Sequence, residues 1–252
     1  MITLYPSKRS LFATLSVAIL LSSLPSIQAA LVITNGSFEL NGGAGSTTLT
    51  NWTTVDSGNG DTYAQSGVTS PLSGFAVPAP TQGTFAAMTD QGGPGTHIFY
   101  QDFLVPFGIA SGTLDFDLFI GNRDGNFTPG NPLDHTAVSP NQLARVDILK
   151  GGSAPASILP ADVLLNVYQT QAADPLVSGY TPINANLTAL LQAHQGETLR
   201  LRFAEVDNSG FFQMGVDNVR LDATTAIPEP TTAVFGLALL GTAVFSRRRK
   251  VS

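Results

Sequence analysis

Apolar and polar residues alternate in short runs along most of the chain, and Gly-, Pro- and Asn-rich breaks separate the runs. In Gly112–Ile120, Leu114, Phe116, Leu118 and Ile120 fall on one face and Asp115 and Asp117 on the other. Side chains alternate across a strand, so this spacing predicts a strand with one buried face. Glu197–Phe203 repeats the pattern, with Leu199, Leu201 and Phe203 set against Arg200 and Arg202. Further strands are predicted at 31–34, 84–89, 98–105, 145–150, 163–168 and 211–221. Asn186–His194 instead spaces Leu187, Leu190 and Leu191 three and four apart, which predicts one short helix. Segments 41–83 and 121–141 are the least periodic and read as large loops, and no internal repeat is present. The pattern as a whole predicts an all-β domain, an antiparallel β-sandwich.

The two ends follow a different pattern. Lys8 and Arg9 precede the apolar stretch Leu11–Leu24, and Pro25-Ser26-Ile27-Gln28-Ala29-Ala30 follows it. A charged start, a short apolar core and a small-residue exit read as a secretory signal peptide, 1–29, cleaved after Ala29. At the other end Pro228-Glu229-Pro230 precedes fifteen uncharged residues, Thr231–Phe245, and then Arg247-Arg248-Arg249-Lys250. As a helix that run spans only ~22 Å, against a hydrocarbon core of ~30 Å. Arginine stems that snorkel to the interface make up part of the difference. Four cations hold this end in the cytoplasm, and the prolines keep the preceding segment extended. The alternatives are an ordinary tail anchor or a buried helix, and a buried helix is a poor host for four consecutive cations.

This three-part pattern resembles the PEP-CTERM sorting signal, which the membrane protease exosortase reads in bacteria that make extracellular polysaccharide. The resemblance implies that 227–252 is a sorting segment with a C-terminal transmembrane helix. Pro228, Glu229 and Pro230 would mark the processing region, and Arg247, Arg248 and Arg249 the cytoplasmic stop. It further implies export, transient anchoring in the inner membrane, exosortase as a partner, and a final place at the surface or outside a Gram-negative-type bacterium.

Between the ends lies one domain, 30–226. The end segments hold six of the 12 Lys and Arg but one of the 18 Asp and Glu, so the domain carries six basic and 17 acidic residues, net −11. That surface argues against nucleic acid and anionic lipid, and is compatible with Ca²⁺ and with neutral or basic glycans. The chain has no cysteine, so neither disulfides nor thiolate metal sites contribute.

Asn35-Gly36-Ser37-Phe38-Glu39 opens the domain and Gly215-Val216-Asp217-Asn218-Val219-Arg220-Leu221 closes it. The pair resembles the galactose-binding-like, jelly-roll β-sandwich of many carbohydrate-binding modules. The resemblance implies that the first and last strands lie near each other and that Glu39 and Asp217 help hold a structural Ca²⁺. Calcium takes six to eight oxygens, so two converging carboxylates suit it. The alternative is that both acids cap turns or accept backbone hydrogen bonds.

Trp52, Tyr63 and Tyr100 are the candidate glycan-binding aromatics, with Tyr180 as a further one. An aromatic face stacks on a sugar ring, although a single tryptophan in a sandwich reads first as core. Gly121–Asn126 reads as a polar hairpin tip, and Arg200 and Arg202 as cross-strand partners for acids such as Asp115 and Asp117. His97, His135 and His194 stand singly, and no nucleophile elbow, P-loop or dinucleotide motif occurs. The sequence therefore reads as a non-enzymatic envelope or matrix protein with a glycan-binding or structural sandwich and extracellular polysaccharide as its partner. The alternative is a glycan-processing enzyme with an unrecognised carboxylate pair.

Overall fold

The computed structural model describes residues 27–226. The signal-peptide features before residue 27, the Pro-Glu-Pro triplet, the apolar run and the basic cluster all lie outside the described residues. Among the described residues no helix is long and apolar enough to cross a membrane.

Eleven antiparallel strands form two facing sheets. One contains β3 (Asp61–Ser66), β4 (Phe85–Asp90), β11 (Phe212–Ala226), β6 (Ile109–Asn122) and β9 (Thr181–Asn186) in that order. A short β1 (Ile27–Leu31) joins the far half of β11, pairing Ile27 with Ala226 and Leu31 with Asp222. The other sheet runs β2 (Thr53–Gly58), β5 (Gly95–Leu104), β10 (Thr198–Asp207), β7 (Gln142–Lys150) and β8 (Val163–Gln169). The first and last strands are neighbours, and the leader boundary expected after Ala29 falls inside β1.

All eight strands predicted from the sequence overlap observed ones, seven of them over most of their length. The strand expected at 31–34 is displaced: β1 covers 27–31 instead. The expected loop 41–83 holds β2 and β3, one in each sheet, and β9 also emerges. β2 and β9 have no buried residue, so they show little apolar periodicity. The expected helix is the short α1 (Thr188–Ala193).

Leu114, Phe116, Leu118 and Ile120 face the core, as their spacing predicts, opposite Leu199, Leu201 and Phe203. The centre is aromatic: the Phe99 and Phe203 rings stack at 5.0 Å, and Phe116 meets Phe203 edge-on at 5.3 Å. Such pairs contribute ~0.5–1.5 kcal/mol beyond area burial.

The opening and closing motifs interlock. β11 carries a bulge between Asp217 and Arg220, where Asn218 takes φ +53°. There Val219 N–H donates to the Gly36 carbonyl at 2.9 Å. A Cβ at Gly36 would sit 1.8 Å from the Val219 carbonyl oxygen, so only glycine admits this approach. Asn35, at φ +50°, bonds through its amide to both Leu40 and Thr50 and fixes the loop that follows.

Candidate functional site

The sequence-derived metal pair does converge, but on protein donors. Asp217 is buried, and its Oδ2 accepts from Thr81 N–H at 2.7 Å and Gln82 N–H at 2.8 Å. Its Oδ1 accepts from Asn218 N–H at 2.7 Å. Glu39 Oε1 accepts from Thr84 N–H and Phe85 N–H, each at 2.8 Å. The two carboxylates thus grip one segment, 81–85, from its two ends. Burial pushes the Asp217 pKa up, against the lowering effect of its hydrogen bonds from Gln82, Asn218 and Thr81. Donor N–H groups already bond Oε1 of Glu39 and both carboxylate oxygens of Asp217, and among the described residues no group of three or more acidic or histidine side chains is placed to hold a metal ion. The residues present do not fit Ca²⁺; the staple that the motif resemblance implies is made of hydrogen bonds.

The same segment belongs to a strap, 67–84, which closes the outer face of the six-stranded sheet. Asp90 accepts from Leu72 N–H at 2.7 Å and Ser73 N–H at 2.8 Å. Arg123 lies 4.8 Å over the Phe75 ring and donates to the Ala76 carbonyl. Beneath the strap Val77 packs on Met88, Phe119 and Tyr180. Asp115 and Asp117 lie on this covered side, bonded to Asn184 and Thr81. Gly121–Asn126 is a turn closed by its own side chain, Asn122 accepting from Asp124 N–H and donating to the Asn126 carbonyl.

The three candidate binding aromatics do not share a surface. Trp52 is 7% exposed, packs on Phe38, Phe99 and Phe203, and donates its indole N–H to the Asn35 carbonyl at 3.0 Å. It is a core residue, and its assignment as a ligand contact is corrected: both faces are covered and its polar atom is used. Tyr63 is half-buried on β3, its hydroxyl donating to Asp61 Oδ2 at 3.3 Å. Burial, then the Asp61 charge, pushes its pKa up to about 12. Tyr100 lies on the other sheet with the Arg200 guanidinium 3.7 Å over its ring. Tyr180 is buried.

Arg200 and Arg202 do pair across strands, but not with Asp115 or Asp117, which belong to the opposite sheet. Arg200 grips Asp102 through two hydrogen bonds, at 2.6 and 2.9 Å. Arg202, fully buried, pairs with Asp147, which also receives two bonds from Arg145. Burial acts to raise the Asp147 pKa, and the Arg145 hydrogen bonds with the Arg202 and Arg145 charges outweigh it, so the carboxyl is held low. Arg200 and Arg202 also donate to the carbonyls of Ser153, Pro155 and Ser157, fastening that loop over the five-stranded sheet.

This loop and the 127–138 segment leave between them a groove of about 310 Å³ on β2 and β5. Val55, Ile98 and Leu133 supply apolar surface; Ser57, Thr96, Asp134 and His135 supply hydroxyl, carboxylate and imidazole groups. His135 is fixed by Thr96, whose hydroxyl accepts from His135 N–H at 3.0 Å and lies 3.2 Å from Nδ1. Asp134 keeps its pKa low through the Thr136 hydroxyl and N–H. Of the sequence candidates Tyr100, Arg200 and Arg202 lie on this face; the groove residues come from one weakly patterned strand, one strand and two loops, and carry no local motif.

A second cluster lies between the sheets at one end. Glu205 and His97 are paired neighbours on β10 and β5, both fully buried, and Asp207 is 2% exposed. His97 Nδ1 meets Asp56 Oδ1 at 3.0 Å, and Thr62 donates its hydroxyl to the same oxygen. Both Glu205 carboxyl oxygens and His97 Nε2 have no hydrogen-bond partner in the protein. Asp207 Oδ1 accepts from Gly95 N–H at 3.0 Å. A Cβ on Gly95 would lie 2.4 Å from His97 Nε2, so glycine is what admits the ring. Burial, and then the Asp207 charge, drives the Glu205 pKa well above the carboxylate range. Burial also pushes Asp207 up to about 7, against the lowering effect of the nearby Gln91 amide and of the hydrogen bond from Gly95. Asp207 also lines a cleft of about 160 Å³ with Gly93, Pro94 and Asn208–Phe211, so a proton-bearing acid faces a small opening near neutral pH. Nothing in the local sequence marks the cluster, because its acids alternate with core positions and only tertiary burial sets them apart.

No protein-family model matches the chain. No curated protein matches it either. Among solved structures it is similar to Fisc, a Stig cyclase from Fischerella sp. TAU, at 18% identity over 79% of this chain and 100% of that one, TM-score 0.46. It is also similar to TmCBM61 in complex with β-1,4-galactotriose, at 11% identity over 76% and 97%, TM-score 0.43. A third is the K1 cleaved adhesin domain of Lys-gingipain from Porphyromonas gingivalis W83, at 10% identity over 81% and 99%, TM-score 0.40. At such identities and scores, nothing about activity or ligand passes from these proteins to this chain.

Proposed function

We propose that the chain is an exported, jelly-roll-like β-sandwich of the cell envelope or extracellular matrix that binds glycan in the β2–β5 groove. The observation that carries this reading is the groove itself, where apolar Val55, Ile98 and Leu133 adjoin the polar groups of Ser57, Thr96, Asp134 and His135. A sugar ring presents C–H faces and hydroxyls together, and a site with both kinds of surface suits it. The acidic balance of 30–226 favours neutral or basic glycans. Most consecutive strands switch sheets, with β3–β4 and β7–β8 staying within one, which supports the jelly-roll-like description. Export, exosortase processing and transient inner-membrane anchoring rest on the sequence of the two ends.

The test is affinity electrophoresis of the chain in gels containing the producing bacterium's extracellular polysaccharide. Retardation that free polysaccharide relieves, and that Val55→Arg abolishes, is the expected result. Equal mobility with and without polysaccharide would leave a structural role.

A second reading, glycan processing, is favoured by one observation: Asp207 faces a cleft with its pKa raised to about 7, a fit for a general acid. Turnover of any polysaccharide fragment that Asp207→Asn removes would support it; turnover that survives the substitution would refute it.

A further inference from the structure

Among the described residues the two most exposed large apolar side chains are Phe107, at 76%, and Leu104, at 65%. Leu104 ends β5 and Phe107 lies in the connection to β6, and that connection is firmly built. Val105 N–H donates to the Glu197 carbonyl and Gly196 N–H to the Val105 carbonyl, each at 2.9 Å, and Gly108 N–H donates to the Gln195 side chain at 2.6 Å. The Phe107 ring lies against Gly196, where a Cβ would come within 2.5 Å of it. Two apolar side chains are therefore held in solvent by an ordered turn.

The end of the sandwich is beside them. Ala226, the last described residue, donates its N–H to the Gly108 carbonyl at 2.9 Å. The uncharged run begins at Thr231, five residues on. Five residues reach at most ~18 Å when fully extended. Were that run held in a bilayer, this length of chain would allow the turn bearing Leu104 and Phe107 to touch the headgroup zone. Two pairs of charged groups at this end neutralise each other: His194 Nδ1 lies 2.9 Å from Glu197, and Arg200 holds Asp102. Apolar side chains at a membrane interface bury their surface among headgroups and acyl chains.

We propose that Leu104 and Phe107 form a lipid-facing contact that docks this end of the sandwich on the bilayer surface while the C-terminal segment is membrane-held. The proposal rests on the anchored reading of residues 231–250. The docking orients the sandwich: the groove on β2 and β5, at the other end of β5 from Leu104, stands clear of the lipid. Its lipid is zwitterionic rather than anionic, because the domain is net −11.

The test uses the full chain in phosphatidylcholine vesicles whose lipids are brominated in the upper acyl chain, a quencher of tryptophan. One variant is Phe107→Trp. The control is Leu72→Trp, a half-exposed strap position held by Asp90 near the start of β11 rather than its end. Wild type gives the background of buried Trp52. The expected result is vesicle co-sedimentation of all three proteins and bromine-dependent loss of emission from Phe107→Trp alone. Co-sedimentation with no greater loss from Phe107→Trp than from Leu72→Trp would overturn the docking and leave the anchor standing. Failure to co-sediment would overturn the anchored reading, and the docking with it.

Discussion

Replacing Asp207 by asparagine removes one titrating group from the buried cluster while keeping its shape and the oxygen that accepts from Gly95 N–H. Asp207 is 2% exposed, and burial lifts its pKa from 3.8 to about 7. The folded state therefore binds this proton more tightly than the unfolded chain does. Below about pH 4 both states hold the proton and the group costs nothing; as pH rises toward 7 the unfolded chain releases it first, and folding stability falls. At ~1.4 kcal/mol per pKa unit, the shift corresponds to a loss of about 4 kcal/mol across that window. Glu205, also raised and pressed by the Asp207 charge, acts in the same direction. Asp207→Asn should match wild type in acid and exceed it by up to about 4 kcal/mol near pH 8, with most of the gain appearing between about pH 4 and 7. Urea unfolding followed by Trp52 emission, at several pH values, measures the difference directly. A stability difference that is constant across that range would refute the buried-acid reasoning.

Three other outcomes are expected. Gly36→Ala, which drives a Cβ to 1.8 Å from the Val219 carbonyl oxygen, should cost ~3 kcal/mol or prevent folding, read from the denaturant midpoint. Asp217→Ala strands the N–H groups of Thr81, Gln82 and Asn218 and should cost ~3 kcal/mol at about 1 kcal/mol each, with new protease cleavage inside 70–85. Millimolar calcium or EDTA should move the melting temperature by less than about 1 °C, since a ligand stabilises only a fold that binds it.

The core strands were legible because their residues alternate cleanly, as Leu114 to Ile120 and Leu199 to Phe203 do. β2 and β9 were not, because neither buries a residue, and β3 was hidden by Gln65 and Thr62, polar side chains buried by tertiary contact. The two motifs announced that Glu39 and Asp217 would meet; what they meet, backbone N–H groups rather than an ion, depends on where residues 81–85 pass. Arg200 and Arg202 announced ion pairs, but partner choice follows sheet membership, which no local pattern encodes. Trp52 advertised a binding face and turned out to plug the core beneath Asn35, in keeping with the core reading of a single tryptophan. The groove was invisible for a simple reason: Val55, Thr96 and His135 are ordinary residues until two loops stand on either side of them.

Groove binding is tested most directly by titrating the isotope-labelled chain with oligosaccharides cut from the producing bacterium's own extracellular polysaccharide and following its amide resonances. Saturable shifts confined to Val55, Ser57, Thr96, Ile98 and the Leu133–His135 loop, with the strap 67–84 silent, are the predicted result. Shifts centred on the strap face, or none at all, would contradict glycan binding in this groove.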